Sequence, residues 1–312
     1  MTTLERLARW KRDGAITDAQ HDAIGALVRK DRFSVSLELN ALLYLGVLSI
    51  AFGVLWTVQT HFAHLGDAAI VLGLTAIVGL CFWYCFSRAL PYSSGEVESP
   101  TMAFDYVLYL ACVVFAIELG YIETRFTLLG DAWDAYLLLA AVVFFGVAYR
   151  FDNRFVLSLA LSTLAAWFGI KLPQMGLRSS DSLRISAITY GALVAAMGAA
   201  LHRLAIKKHF IETHLHVAAT AMFVALASGV ESDMSLLYLA GLIALGTLSV
   251  AGGIRYRRFA FVAYGVAFPY LAISVKLIQR WDATAALGYG VVSGSAMVVL
   301  MVYVARRFGR EE

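Results

Sequence analysis

The sequence predicts an all-α fold: a polytopic transmembrane helical bundle of about ten spans built from repeated hairpins, preceded by a short N-terminal cytosolic helical hairpin. Sixty per cent of the 312 residues are hydrophobic and only 15% are charged, whereas roughly one-quarter of the residues in a soluble domain are charged. Apolar stretches near the roughly 20 residues that cross a bilayer also recur from Leu37 onward, separated by short polar turns.

Residues 1–36 form the predicted cytosolic hairpin. Two capping-box patterns and one glycine suited to ending a helix predict its two helices: Thr2 with Glu5, Thr17 with Gln20, and Gly14. Charges run through this segment, and it lacks the short apolar core and cleavage site of a removable signal peptide. We therefore expect the first span to act as its own insertion signal.

The predicted transmembrane bundle covers residues 37–305, and residues 306–312 form a basic cytosolic tail. The predicted spans are 38–60, 67–87, 102–122, 134–150, 155–172, 183–202, 211–229, 234–253, 259–277 and 283–304. The fourth and fifth spans are short and only the turn from Arg150 to Arg154 divides them, so nine spans is the alternative count.

The distribution of Lys and Arg predicts a multi-pass protein of the bacterial inner membrane with both termini in the cytosol. With ten spans and a cytosolic start, 19 of the 25 basic residues fall on the cytosolic side. The six on the outer side are Arg125, Lys171, Arg178, Arg184, Lys276 and Arg280. The positive-inside rule predicts this asymmetry.

Short internal matches predict successive hairpins of the same orientation, which emerge when the spans are paired across the outer turns. The matching stretches are 65–68 with 129–132, 133–135 with 281–283, and 149–155 with 255–259. An aspartate precedes the returning helix in every outer turn: Asp67, Asp134, Asp181, Asp233 and Asp282. We interpret these aspartates as helix caps that accept hydrogen bonds from first-turn N–H groups; the alternative is a shared ion site.

Glu118 is a candidate functional residue because it lies inside an apolar run, and ionisable groups within a membrane are functional candidates by default. In the alternative interpretation it reaches water or pairs with Arg125. Pro269 interrupts the ninth span and frees a backbone carbonyl, which typically kinks a helix or lines a cavity. Gly290 and Gly294 leave a small-residue groove in the tenth span, which favours close contact within the bundle.

Histidines supply the remaining candidates. His61 and His64 with Asp67 form the one compact group of histidine and carboxylate on the outer side, yet we expect interfacial side chains there and no metal. His214 lies near His209, Glu212 and His216, beside Lys207 and Lys208. We interpret this group as an interfacial anchor, with a pH-responsive site as the alternative.

The sequence contains no nucleophile elbow, P-loop, dinucleotide fingerprint or zinc-protease helix, so we expect no enzyme, no catalytic residue and no cofactor. The spans lack the facing carboxylate pair that a proton relay needs, which weakens ion-coupled transport. A net charge of +3 without a basic face argues against a nucleic-acid partner. Cys81, Cys85 and Cys112 fall in apolar runs and are expected to be free thiols.

The order of features resembles the bacterial predicted membrane proteins of domain of unknown function 2157 over roughly the first 170 residues. The resemblance rests on Leu4 to Leu7, residues 14–17 with Gln20, the stretch from Gly46 to Trp56, and residues 129–133. In that family the turn after the third span often reads as glycine, aspartate and tryptophan, which Gly130, Asp131 and Trp133 fit. The resemblance implies a polytopic membrane protein with a cytosolic helical start, and it implies no activity.

The preferred hypothesis is a non-enzymatic integral membrane protein, a scaffold or sensor whose bundle contacts the lipid bilayer and whose cytosolic hairpin meets a protein partner. The alternative is a transporter of a small or lipid-like solute, because repeated hairpins and a proline-broken span recur in permeases. An intramembrane enzyme is a third hypothesis, resting on Glu118 and the histidines. The amino-acid sequence does not specify an oligomeric state.

Overall fold

The computed structural model describes residues 9–18, 20, 42–43, 45–50, 53, 56, 66–174, 180–279 and 281–309. The chain divides into two compact units, Met1–Phe62 and Ala63–Glu312. Most of the predicted N-terminal hairpin, and most of the predicted span at 38–60, lie outside the described residues.

In the first unit the structure reproduces two local features that the sequence predicts. Gly14 has a φ of 72°, and the N–H of Ala15 donates to the carbonyl of Trp10 at 2.9 Å, so the first helix ends at this glycine. The N–H of Gln20 donates to Thr17 Oγ1 at 3.3 Å, and the N–H of Thr17 donates to Gln20 Oε1 at 2.9 Å. This reciprocal pair is the predicted capping box.

The second unit contains nine α-helices among its described residues, and no strand is found there. They are α1 (Asp67–Arg88), α2 (Met102–Phe126), α3 (Ala135–Phe151), α4 (Arg154–Gln174), α5 (Ser180–Arg203), α6 (Ile211–Gly229), α7 (Ser235–Arg255), α8 (Phe259–Ile278) and α9 (Ala283–Gly309). All nine are long and apolar enough to cross a membrane, and they coincide with the second to tenth predicted spans. The predicted helical membrane bundle is therefore confirmed as a fold class.

Consecutive helices contact each other most extensively in the pairs α1–α2, α3–α4, α5–α6 and α7–α8. The turn that joins each pair follows an arginine at or next to the last residue of the pair's first helix. These arginines are Arg88, Arg150, Arg203 and Arg255. We call the end with these turns the basic end, and the other the opposite end. The hairpins thus close at the basic end and not across the outer turns, which corrects the predicted pairing. Short connections such as residues 152–153 hold two antiparallel helices in contact.

Three basic-end turns share one backbone geometry. Each contains a non-glycine residue in the left-handed region, with φ of 57° at Asp152, 60° at Ala205 and 55° at Arg257. In each, the next N–H donates to a carbonyl five residues back: Asn153 to Ala148 at 3.1 Å, Ile206 to Leu201 at 3.0 Å, and Arg258 to Gly253 at 2.8 Å. This is the Schellman arrangement that ends a helix, and it accounts for the sequence match between 149–155 and 255–259.

Two buried clusters form the interior of this unit. The larger joins α1 to α6 around Phe104, Phe144 and Tyr190, and the smaller joins α6, α7 and α8 around Phe223 and Leu242. Many large apolar side chains lie outside these clusters and are exposed, among them Trp83, Leu236 and Val291. Apolar surface of this extent is what a lipid-facing bundle presents, so the helices contact the lipid bilayer.

Candidate functional site

Asp152 is the centre of a buried polar network at the basic end. Its side chain is 1% exposed, and it occupies the C-cap of α3. The carboxylate accepts a hydrogen bond from the N–H of Val97 at 2.6 Å and from Lys207 Nζ at 2.9 Å, and it contacts His209 Nε2. Asp152 therefore connects the α1–α2 loop, the α3–α4 turn and the α5–α6 turn.

Lys207 is fully enclosed, although a lysine in a polar turn is normally solvated. Its Nζ also donates to the carbonyl of Gly95 at 2.9 Å and lies 5.4 Å from the ring centroid of Tyr92. The N–H of Lys207 donates to the carbonyl of Ser94 at 2.8 Å. The group that contains His209, beside Lys207, was interpreted as an interfacial anchor. The structure places both side chains in this network, because residues 92–95 contact Lys207 and Asp152 contacts His209.

A second set of bonds fixes the same loop. Asn153 Nδ2 and Ser99 Oγ both donate to Asp105 Oδ1 at 2.7 Å. Asn153 Oδ1 in turn accepts from the N–H of Val156 at 2.9 Å, which caps the first turn of α4. The three basic-end segments are therefore held by two adjoining sets of polar contacts.

His214 is buried in α6, with 1% exposure. Its Nδ1 lies 2.8 Å from the carbonyl of Phe210, and its Nε2 lies 3.4 Å from the hydroxyl of Tyr149. Gly198 of α5 faces it so closely that a Cβ on Gly198 would lie 2.7 Å from the His214 Cβ. The predicted candidate is therefore a tightly packed residue that connects α3, α5 and α6.

Glu118 is buried in α2, at 7% exposure, and its Oε1 contacts the hydroxyl of Thr75 in α1. Thr75 Oγ1 also lies 2.9 Å from the carbonyl of Val71. Arg125, the partner considered for Glu118, pairs instead with Asp67 at 3.4 Å. The Glu118 carboxyl group thus links α1 and α2 inside their membrane-spanning segments.

Three of the predicted cap aspartates cross-link helices at the opposite end. Asp67 lies in the first turn of α1 and its side chain makes no cap bond; it accepts from Tyr121 OH at 2.8 Å and pairs with Arg125 of α2. Asp134 stands at the N-cap of α3, also without a cap bond. Donors from neighbouring helices compete with the first-turn N–H groups for these carboxylates, which corrects the capping interpretation at both positions.

Asp134 is 2% exposed, and it accepts from Trp167 Nε1 at 3.0 Å and pairs with Lys171 Nζ at 3.2 Å. Both donors lie on α4 four residues apart, as Tyr121 and Arg125 do on α2, so one face of each helix presents an aromatic donor and a cation. Asp181 also has a cation and an aromatic donor as partners, but Arg184, at 2.7 Å, lies on its own helix, and Tyr238, whose hydroxyl is at 3.2 Å, lies on α7.

The last two predicted caps differ from each other. Asp282 makes the predicted bond, since its Oδ1 accepts from the N–H of Ala285 at 3.2 Å. Asp233 does not occupy the N-cap of α7, where Met234 stands without a side-chain bond. The capping prediction is therefore wrong for Asp233 because the turn places it one residue too early.

Pro269 lies inside α8 and contacts α7. A Cβ built on Gly246 of α7 would lie 3.1 Å from Pro269 Cγ and 2.8 Å from the carbonyl oxygen of Gly265. Gly265 is four residues before the proline, so its carbonyl is the one that the proline leaves without a helical donor. The sequence predicted a kink or a cavity here; the structure directs the freed carbonyl onto the backbone of the neighbouring helix.

A cleft of about 630 Å³ opens between α5, α6 and α7 and reaches Phe261 of α8. Its walls are mainly apolar and include Ala199, Leu215, Met222, Leu245, Leu248 and Gly252. Its rim at the basic end carries His202, Arg203, Glu212, Tyr256 and Arg258. Neither Glu118 nor Pro269 lines it, so the sequence-based candidates did not indicate this cavity.

Arg258 Nη1 pairs with Glu212 Oε1 at 2.9 Å, and His216 Nε2 lies 3.8 Å from the same oxygen. The His216 ring stacks on Phe261 with centroids 4.7 Å apart. Arg203 is exposed, and within the described part of the chain it has no hydrogen-bond or ion-pair partner. The rim therefore combines one internally paired arginine with one unpaired arginine.

His61 and His64 lie outside the described residues, so their predicted interfacial role stays a prediction. Asp67, which completed that group in the sequence, is occupied by Tyr121 and Arg125. In the parts of the chain that the structure describes, no three His, Cys, Asp or Glu side chains converge as metal ligands do. The cysteines are free, with Cys85 and Cys112 buried.

The helical fold and its apolar exterior define an integral membrane protein with multiple transmembrane helices. Residues 8–157 match the model of the family described as "Predicted membrane protein (DUF2157)". The resemblance predicted from the sequence is thereby confirmed over that stretch, which includes α1, α2 and α3. No match was found among curated proteins or among solved structures.

Proposed function

We propose that this protein is a non-enzymatic sensor or scaffold that holds a lipid-like amphiphile of the surrounding bilayer in the cleft between α5, α6 and α7. The observation that carries this proposal is the cleft itself, apolar along its walls and charged at one end. Its volume of about 630 Å³ falls within the ~300–1,000 Å³ range of small-molecule sites.

The length of the cleft fits a chain from one leaflet. Its lining on α6 runs from Ile211 to Phe223, which is about 18 Å at ~1.5 Å per helical residue. The hydrocarbon core of a bilayer is about 30 Å thick. An acyl chain that starts at the charged rim therefore reaches the middle of the membrane at the inner end of the cleft.

The alternative is transport of a small or lipid-like solute. A transporter needs a route that continues to the opposite end of the bundle. Beyond Phe223 the cleft meets the buried cluster of Phe223, Leu226 and Leu242, and Tyr238 packs directly on Gly229. This closed inner end supports binding within one leaflet over passage through the bundle.

In this proposal the protein lies in the bacterial inner membrane with its basic end and both termini in the cytosol, which the asymmetry of Lys and Arg supports. Residues 1–36 would then meet a cytosolic partner. Ser94, exposed at the basic end, tests the orientation as a Ser94→Cys variant without the native cysteines. A membrane-impermeant maleimide should label it in inverted vesicles and not in intact cells; the reverse pattern contradicts the orientation.

The proposed lipid site is tested by filling the cleft. Gly252 lines it, and a Cβ on Gly252 would meet nothing within 4 Å, so we expect Gly252→Leu to add bulk at the cleft. Gly146 of α3 is equally open and lies outside the cleft, which makes Gly146→Leu the matched control. The probe is a phospholipid with a diazirine near the end of one acyl chain, followed by peptide mapping of the adducts.

We expect adducts on Met222 and Leu245, at the inner end of the cleft, in the unmodified protein and in Gly146→Leu, and their loss in Gly252→Leu. Labelling of outward residues such as Val291 should be equal in all three proteins because that surface contacts bulk lipid. Equal labelling of Met222 with and without Leu at position 252 contradicts the proposal.

A further inference from the structure

We infer that the cleft selects a phospholipid with a net negative phosphate headgroup, which Arg203 binds directly and for which Glu212 competes at Arg258. This inference rests on the proposed function and adds the headgroup chemistry to it. The occupant is a lipid of the bilayer, because the charged rim and the long apolar wall belong to the same cavity.

The charges at the rim do not balance. Arg203 and Arg258 are always cationic, and of the ionised side chains lining the cleft only Glu212 is acidic. Arg258 pairs with it at 2.9 Å, which leaves the Arg203 guanidinium without a counter-charge in the described chain. A phosphate monoanion at the rim would supply that charge.

Guanidinium groups suit this role because they bind phosphate oxygens through two parallel N–H bonds. Basic pockets between transmembrane helices are a recurrent way to hold anionic lipid heads. A zwitterionic headgroup carries its own ammonium group, which partly neutralises its phosphate. The excess positive charge of the rim also repels that ammonium group. The rim therefore favours a net anionic head over a zwitterionic one with identical chains.

The Arg258–Glu212 pair also affects the preference for an anionic headgroup, but in the direction opposite to Arg203. Both side chains are partly exposed, Arg258 at 57% and Glu212 at 31%, and His216 approaches Glu212 from one helical turn further along α6. The Glu212 carboxylate competes with a lipid phosphate group for Arg258, and its negative charge repels that phosphate group. Removal of the two charges should thus have opposite effects on lipid preference: Arg203→Gln weakens it and Glu212→Gln strengthens it.

The experiment measures lipid binding to the full-length protein in detergent by native mass spectrometry, with phosphatidylglycerol and phosphatidylcholine that carry the same acyl chains. We expect the unmodified protein to prefer phosphatidylglycerol, and Arg203→Gln to reduce that preference by about tenfold, the scale of one charge-assisted hydrogen-bonded pair. Glu212→Gln should increase it several-fold. Arg88→Gln, at the same end but outside the cleft, should leave it unchanged.

The outcomes separate the two claims. Equal saturable binding of both lipids, unaffected by Arg203→Gln, overturns the inference about the headgroup and leaves the lipid site standing. Absence of saturable binding for either lipid overturns the lipid site as well. Parallel losses in Arg203→Gln and Glu212→Gln would show a structural effect of the substitutions and also contradict the inference. Opposite changes in the two variants, with Arg88→Gln unchanged, support it.

Discussion

At the level of single residues, Asp152 is the side chain on which the basic end depends most, because three residues from two other segments contact its two carboxylate oxygens. Neither Asp152 nor Lys207 reaches solvent. A buried ion pair contributes little net stability relative to apolar residues, yet removing one partner leaves an uncompensated charge. We therefore interpret the main role of the network as holding the turns in position, with only a small net contribution to the free energy of unfolding.

Asp152→Asn should lower the stability of the protein by roughly 3–5 kcal/mol, because it leaves the Lys207 ammonium buried without its counter-ion. The double variant Asp152→Asn, Lys207→Met should recover part of that loss, since the unpaired charge is gone. Thermal unfolding in detergent, followed by the loss of the monodisperse peak in size-exclusion chromatography, measures both.

The exposed pair Arg154–Glu96, at 3.1 Å, provides the control. Both side chains are more than half exposed, so Glu96→Gln should change stability by only ~0–1 kcal/mol. An Asp152→Asn protein as stable as Glu96→Gln would show that the buried pair does not hold the basic end together.

The sequence was sufficient to predict the contacts of residues whose partners are close along the chain. The Thr17–Gln20 capping box, the helix stop at Gly14 and the Asp282 cap all involve contacts within a few residues. It failed for Asp67 and Asp134, whose partners are an aromatic side chain and a cation on another helix. Such partners cannot be assigned before the helix pairs are known.

At the level of helices, α7 and α8 meet through backbone at Gly246 and Gly265. Helices in a membrane gain no hydrophobic driving force from each other, so small residues that permit close van der Waals contact stabilise their association. The sequence indicated such a groove at Gly290 and Gly294 of α9. There, however, a Cβ on Gly290 meets nothing within 4 Å, and one on Gly294 is 4.0 Å from Tyr270 OH, among the described residues.

Gly246→Ala should destabilise the protein by about 1–3 kcal/mol, the usual cost of overpacking, because the new methyl group would lie 2.8 Å from the Gly265 carbonyl oxygen. Gly252→Ala on the same helix meets no neighbour and gains up to ~1 kcal/mol of helix propensity. Unfolding midpoints in detergent should therefore move in opposite directions. A lower midpoint for Gly252→Ala than for Gly246→Ala would contradict this account of the interface.

At the level of the whole molecule, the span pattern was predictable because a bilayer imposes a length and a composition on every helix that crosses it. Nine of the ten predicted spans coincide with helices of the structure. The hairpin pairing was not predictable from the repeats, since stretches such as 133–135 and 281–283 mark a turn without showing which neighbour each helix contacts. The cleft was also missed, because alanines, leucines and glycines line it and these residues are common in any span.

The proposed function requires that a bilayer lipid occupies the cleft between α5, α6 and α7. Electron cryomicroscopy of the full-length protein in nanodiscs containing phosphatidylglycerol tests it most directly. We expect an elongated density along Leu215 and Met222, with its headgroup within hydrogen-bonding distance of Arg203. A cleft closed by side chains, or one with no density while annular lipids are resolved on the outer surface, would contradict it.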